Sequence, residues 1–304
     1  MKTLKINDHL QVPVIAVGCM RINQLEKPER EGFIMEAVEQ GANYFDHADI
    51  YGKGTCESLF GEAFQNSGLS RDHVFIQTKC GIRQGYYDLS KEHILHSVEQ
   101  SLKNLKTDYI DVLLLHRPDA LCEPEEVADA FDSLFSSGKV RTFGVSNYNP
   151  MQIELLKKHL RQPLVINQLQ FGIAHAQMVS NGINVNTRYP SAIDRDGSVL
   201  DYCRLNDMTI QPWSPFQYGF IEGVFIGNDK FPELNHTLEK IAADYQVSTT
   251  TLAIAWILRH PAQMQPIAGT TNRHRLAEIC RAAEINISRE AWYEIYRAAG
   301  NNIP

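Results

Sequence analysis

The amino-acid sequence predicts a parallel (β/α)8 barrel, an α/β fold, with a short N-terminal β-hairpin ahead of the first barrel strand and one extra C-terminal helix. Three observations lead there. Short runs rich in β-branched and aromatic residues alternate with longer amphipathic stretches, and eight such units can be counted. The run Leu113 to Leu115 is apolar throughout, as suits a strand covered on both faces of a parallel sheet. Successive runs stop at polar residues such as Asp46, Lys79, His116 and Asn147. No proline-rich or Gly-Ser linker, charge block or low-complexity segment interrupts the pattern, so one domain over residues 1–304 is expected.

Turn material near positions 7 to 13 predicts the opening hairpin, placed to close the bottom of the barrel. Val14 to Gly18 is the first barrel strand; its helix begins near Pro28, whose fixed φ suits a first turn, and exits at Gly41. NYFD ends at Asp46, a loop through Tyr51 leads to the helical ESLFGEAF, and VFIQTK ends at Lys79. KEHILHSVEQSLKNL has apolar residues at helical spacing and precedes the strand that stops at His116. EEVADAFDSLFSSGK ends at Gly138 and Lys139, VRTFGVSN at Ser146 and Asn147, and MQIELLKKHL leads into LVINQLQF. Gly172 to about Gly197 is expected to be one long irregular loop. VLDYCRLND, TIQPWSP, another long loop through Phe231, LNHTLEKIAADY with TTLAIAWILRH, MQPIAG and HRLAEICRAA complete the units, and SREAWYEIYRAAG is the added helix.

Composition narrows the function classes. With 43% hydrophobic and 21% charged residues the chain can fill a core. A net charge of -7 offers no broad attraction for nucleic acid or anionic lipid, and no window is long and apolar enough to span a bilayer. The chain therefore reads as cytoplasmic, with neither nucleic acid nor membrane as a partner. Its cysteines, six in number, are scattered without a CxxC pair, so no metal site is expected and reduced, packed thiols are.

In a parallel barrel the carboxyl ends of all strands meet on one face. That rule gathers Asp46, Lys79, His116, Ser146, Asn147, Gln168, Trp213, Ser214, Gly269, Thr270 and Thr271 around one pocket, with Tyr51 a short loop beyond Asp46. Taken singly each is an ordinary strand-exit residue; an acid, a lysine, a histidine and a tyrosine in one cleft is a stronger pattern. The set suits carbonyl reduction, in which the oxygen becomes an alkoxide that must be protonated. A lysine cation favours the phenolate and is expected to lower the pKa of a nearby tyrosine, Asp46 would pair that lysine, and His116 would bond the carbonyl oxygen.

FDHADIYG, the lysine ending VFIQTK, LLLHRPD and FGVSNY together resemble the aldo-keto reductases, in particular short bacterial NADPH-dependent oxidoreductases, over essentially the whole chain. The resemblance implies Tyr51 as general acid supported by Lys79, His116 and Asp46. It implies that Ser146, Asn147 and Gln168 hold a nicotinamide amide, that Trp213 stacks on the ring where the family commonly has tyrosine, and that Ser214 lies beside the pyrophosphate. The turn Gly269, Thr270, Thr271 before a helix amino terminus suits phosphate. Arg275 matches the family's arginine for a 2′-phosphate, which favours NADPH (NADP+), and Arg273 is placed to assist. Glu278 matches an adenine-side residue, but Ile279 stands where the family often has asparagine, and His47 stands for a more usual threonine.

The expected function is NADPH-dependent reduction of a small-molecule aldehyde or ketone. Alternatives are a non-catalytic NADP(H)-binding regulatory subunit, since some relatives regulate membrane channels, and an isomerase or aldolase using Lys79 as a Schiff base or Asp46 as a base. The intact tetrad favours catalysis. GKGTCE from Gly52 reads as turn glycines, His93 and His96 as a solvated pair on one helix face, Asp194, Arg195 and Asp196 as exposed loop, and Met178 as packing. The short tail predicts an open pocket or one closed by residues 172 to 197.

Overall fold

The computed structural model describes residues 1–184, 199–219 and 221–301. Strands β1 (Thr3–Asn7) and β2 (Leu10–Pro13) pair antiparallel as the opening hairpin. Then come β3 (Ala16–Gly18), α1 (Lys27–Glu39), β4 (Tyr44–Asp46), α2 (Cys56–Asn66), β5 (Phe75–Cys80), the small hairpin β6 (Ile82–Arg83) and β7 (Tyr86–Tyr87), and α3 (Lys91–Leu105). β8 (Ile110–Leu115), α4 (Pro124–Ser136), β9 (Val140–Ser146), α5 (Pro150–Lys157), β10 (Leu164–Gln170), α6 (Gln177–Ile183), α7 (Val199–Leu205) and β11 (Thr209–Trp213) follow. The chain continues through β12 (Gln217–Tyr218), β13 (Gly223–Val224), α8 (Pro232–Asp244), α9 (Thr249–Leu258), β14 (Ile267–Ala268), α10 (Arg273–Arg281) and α11 (Arg289–Ala298).

Eight strands form one sheet in the order β11-β10-β9-β8-β5-β4-β3-β14, every neighbouring pair parallel. A parallel bridge between Ile210 and Met264 closes the ring, with Ile210 N–H donating to Gln263 O and Gln265 N–H to Ile210 O, both at 2.9 Å. The expected (β/α)8 barrel, its hairpin and its added helix α11 are all present. Helix starts follow the local chemistry: the side chains of Ser90, Asn149, Ser248, Asn272 and Ser288 each accept a first-turn amide, a cap worth about 1 kcal/mol. Gly41 and Gly138, placed by sequence at helix exits, sit at φ +75° and +73°, a region that penalises a side chain.

Between the strands and the helices lies a continuous apolar layer that includes Phe45, Phe60, Ile94, Phe131 and Phe143, the last two stacked at 4.1 Å between ring centres. Burial of each such ring contributes roughly 1.5–3 kcal/mol. At the bottom, Ile6, Leu10 and Val12 of the hairpin pack against Val112, Leu114, Ile166 and Ile267, so the hairpin plugs the barrel as expected. The barrel centre itself is polar. Gln265 donates to Pro13 O at 2.8 Å and accepts from Gln211 at 2.8 Å; Gln211 accepts from Gln77 at 2.7 Å, and Gln77 accepts from Tyr44 at 2.7 Å. Each buried amide is thereby satisfied, which an apolar setting demands.

Several expectations change. The stretch from Gly172 contains α6 and a bridge between Gly172 and His175, so it is not loop throughout. Residues 185–198, with the Asp194 to Asp196 charge run, lie outside the described residues, as do 302–304. The loop toward Phe231 carries the β12–β13 hairpin. His93 is not solvated: it is buried, its Nδ1 3.0 Å from Arg83 and its Nε2 3.3 Å from Ser97, while His96 is exposed. All six cysteines are free thiols, and among the described residues no helix is long and apolar enough to cross a membrane.

Candidate active site

Tyr51 reaches the tetrad because β4 and β5 stay paired beyond the end of β4. His47 N–H donates to Gln77 O at 2.8 Å and Asp49 N–H to Lys79 O at 3.0 Å, after which a turn closed by Tyr51 N–H on Ala48 O at 3.1 Å swings the tyrosine over Lys79. Lys79 is wholly buried, and its ammonium donates to Asp46 Oδ1 at 2.7 Å, His47 O at 2.6 Å and Tyr51 Oη at 3.1 Å. Asp46 Oδ1 also accepts from Gln77 at 2.6 Å and Gln168 at 3.1 Å. His116, its backbone N–H donating to Cys80 O at 2.9 Å, sets its ring edge-on to Tyr51 with centres 6.0 Å apart.

The electrostatics differ in one respect from expectation. Burial raises the Tyr51 pKa above the ordinary phenol range, and the opposing Lys79 cation does not overcome it; the desolvation cost of a phenolate outweighs a single cation that Asp46 already pairs. Burial also works against the Lys79 charge, but Asp46 and Tyr51 outweigh it and lift the ammonium above the usual lysine range. Burial first, then the Lys79 and Arg117 cations, hold His116 well below the imidazole range. At neutral pH the site therefore holds a phenol, an ammonium and a neutral imidazole. A Schiff base from Lys79 is disfavoured, since its nitrogen is protonated and spends its hydrogens on three acceptors.

The cleft above these groups, about 220 Å³, is lined by Asp46, Tyr51 and His116 and, from the expected cofactor set, by Ser146, Asn147, Gln168, Trp213, Ser214, Gly269, Thr270 and Arg275. Ser146 Oγ donates to Gln168 O at 3.0 Å, Asn147 Nδ2 to Ser146 Oγ at 2.9 Å, and Trp213 Nε1 to Asn147 Oδ1 at 3.3 Å, so one polar wall carries a flat aromatic face beside it. A side chain at Gly269 would meet nothing within 4 Å, leaving open space before α10. The donor set, the indole and the Arg275 guanidinium suit a nicotinamide dinucleotide. Thr271 and Glu278 do not line the cleft; Glu278 faces His274 at 3.8 Å, and Ile279 is buried in the core. Arg273 leans on Glu36 of α1 at 3.4 Å rather than toward the cleft. Met178 packs against the core, as expected, and lines two recesses, one with Trp292 and Tyr293 and one that reaches the cleft residues Arg117, Asn147 and Trp213.

Sequence reasoning missed Gln77 and Gln211, whose glutamines in VFIQTK and TIQPW look like ordinary alternation, and the cleft residues Met20, Arg21, Arg117 and Phe216. Arg117 was discoverable, since it directly follows His116 at a strand exit.

Comparison with known proteins identifies the family. The model of the aldo/keto reductase family matches residues 14–299. The chain is 36% identical to the oxidoreductase YcsN of Bacillus subtilis, covering 100% of both chains, and 33% identical to a 6-dehydroglucose reductase of Agrobacterium fabrum, covering 98% of each. A crystal structure of a thermostable aldo-keto reductase in complex with the inhibitor epalrestat superposes with a TM-score of 0.79 at 25% identity, over 98% of this chain and 100% of that one. The chain belongs to the aldo/keto reductase family and is an oxidoreductase of carbonyl chemistry.

Proposed function

We propose that the protein is an NADPH-dependent reductase that converts aldehyde or ketone carbonyls to alcohols, with Tyr51 as proton donor. The observation that carries this reading is the Lys79 Nζ to Tyr51 Oη contact at 3.1 Å inside the cleft. An ammonium donates and cannot accept, so Tyr51 Oη is the acceptor and its own hydrogen is left for a carbonyl oxygen above it. Loss of that proton creates a phenolate, which the buried Lys79 charge stabilises. Asp46 keeps that charge in place, and Gln77 and Gln168 keep Asp46 in place. The neutral His116 ring bonds the same carbonyl oxygen without competing as an acid.

The cofactor supplies the hydride when bound. Ser146, Asn147 and Gln168 would hold its amide, Trp213 its ring, Ser214 and the turn at Gly269 and Thr270 its phosphates, and Arg275 its 2′-phosphate. Guanidinium pairs well with phosphate, which is the reason for NADPH over NADH. The relative named a 6-dehydroglucose reductase supports a small carbonyl compound as substrate. The test follows NADPH absorbance over a panel of aldehydes and ketones, sugar-derived aldehydes included. Turnover of at least one class is expected, and no turnover despite tight NADPH binding would favour a regulatory subunit.

A further inference from the structure

We propose that the carbonyl substrate carries an anionic group, a carboxylate or phosphate, received chiefly by Arg117, with Arg21 on the opposite flank of Tyr51. The proposal rests on the reductase reading above and adds the class of substrate.

The first argument is a balance of charge. The charged residues that line the cleft are Asp46, Arg21, Arg117 and Arg275. Asp46 is already committed to Lys79 at 2.7 Å, so it cannot neutralise an arginine. Neither Arg21 nor Arg117 has a carboxylate partner among the described residues. Arg117 is half-buried and Arg21 exposed. A half-buried guanidinium gives up part of its hydration with no carboxylate among the described residues in return, and an anionic group with matching acceptors would restore the balance. The Arg117 charge is already felt inside the site, where it helps hold His116 neutral.

The second argument is position around the ring. Going round the sheet, β8 leads to His116 and Arg117, β5 carries Lys79, β4 ends at Asp46 and leads to Tyr51, and β3 leads to Arg21. The two arginines therefore bracket the proton donor. The opposite wall, from β9, β10 and β11, presents Ser146, Asn147, Gln168 and Trp213, none of them charged. A cofactor held on that wall with its phosphates toward Arg275 runs from β11 to β14, which the closed ring makes neighbours. Arg117 lies four strand positions from β14 by the other route, roughly 19 Å along the ring at the usual strand spacing. It is thus left for whatever extends from the carbonyl held at Tyr51 and His116.

The test measures kcat/KM with NADPH for matched pairs, succinic semialdehyde against butanal and glyceraldehyde 3-phosphate against glyceraldehyde, in wild type, Arg117→Gln and Arg117→Lys. A charge-assisted contact predicts that wild type favours the charged member of at least one pair by about 10- to 100-fold. The favoured pair identifies the group. Arg117→Gln should lose that preference and Arg117→Lys keep part of it, a point charge replacing a fork. Added salt should weaken it in wild type, which tests the idea even if the variants fail to fold. Equal turnover within both pairs, or a preference that survives in Arg117→Gln, overturns the proposal and leaves the reductase reading standing. Weakened NADPH binding in Arg117→Gln with substrate preference intact also overturns it. No turnover of any carbonyl overturns both.

Discussion

Gln77 Nε2 donates to Asp46 Oδ1 across 2.6 Å, joining the amide chain in the barrel centre to the carboxylate that holds Lys79. The same nitrogen donates to Gln211, which bonds Gln265, which in turn reaches the hairpin at Pro13 O. The plug at the bottom of the barrel and the reactive groups at its top are therefore one hydrogen-bonded column.

Replacing Gln77 by leucine keeps most of the volume but leaves the buried Tyr44 hydroxyl without the acceptor it donates to and removes one of the donors to Asp46, while Gln211 keeps the Gln168 amide. The expected cost is about 1–3 kcal/mol of stability, visible as a lower Tm. Because Asp46 retains Lys79 and Gln168, turnover should fall only about 10-fold, against the larger loss expected of a residue that transfers a proton. NADPH binding should be retained. A variant with wild-type kcat would mean that Asp46 needs no help from the column.

Arg275 is exposed at the start of α10 and has no ion-pair partner among the described residues. Arg275→Met is expected to weaken NADPH by about 10- to 100-fold, the value of a charge-assisted contact, while leaving NADH almost unchanged. Fluorescence titration with the two cofactors checks it. Equal weakening of both would remove the 2′-phosphate from the role of Arg275.

Asp49 lies two residues before Tyr51, and its Oδ1 is buried without a hydrogen-bond partner. Burial, with the Glu57 charge adding to it, lifts its pKa to about 7. A raised acid binds its proton more tightly folded than unfolded. Its contribution is thus favourable at low pH and is lost as pH climbs from the unfolded value, about 3.9, through the folded one. Asp49→Asn should melt above wild type near pH 8 and level with it near pH 4, by about 2 kcal/mol once partial exposure is allowed for. Thermal melts at the two pH values decide it; a difference that does not change with pH would contradict the assignment.

The barrel was legible because strands buried on both faces read as apolar runs, and because a polar residue marks where each leaves the sheet, as His116 does after Leu115. Asp46, Lys79 and Tyr51 could be placed together for that reason alone. Gln77 and Gln211 could not, since a lone glutamine in a strand looks the same facing water or facing another amide. Helix α6 was hidden by its sequence, QMVSNGI, whose β-branched, Ser, Asn and Gly residues are weak helix formers. The sign of the Tyr51 shift was missed because proximity of a lysine can be inferred from strand order, whereas depth of burial cannot. Thr271 and Glu278 follow a strand exit in sequence, yet the turn into α10 carries them away from the cleft lining.

The most direct test of the proton-donor role is NADPH-dependent carbonyl reduction by Tyr51→Phe, with fluorescence quenching confirming that NADPH still binds. Removing the phenol hydrogen while keeping the ring should lower turnover by about 100- to 10,000-fold. Turnover at the wild-type rate would contradict the assignment of Tyr51 as the proton donor.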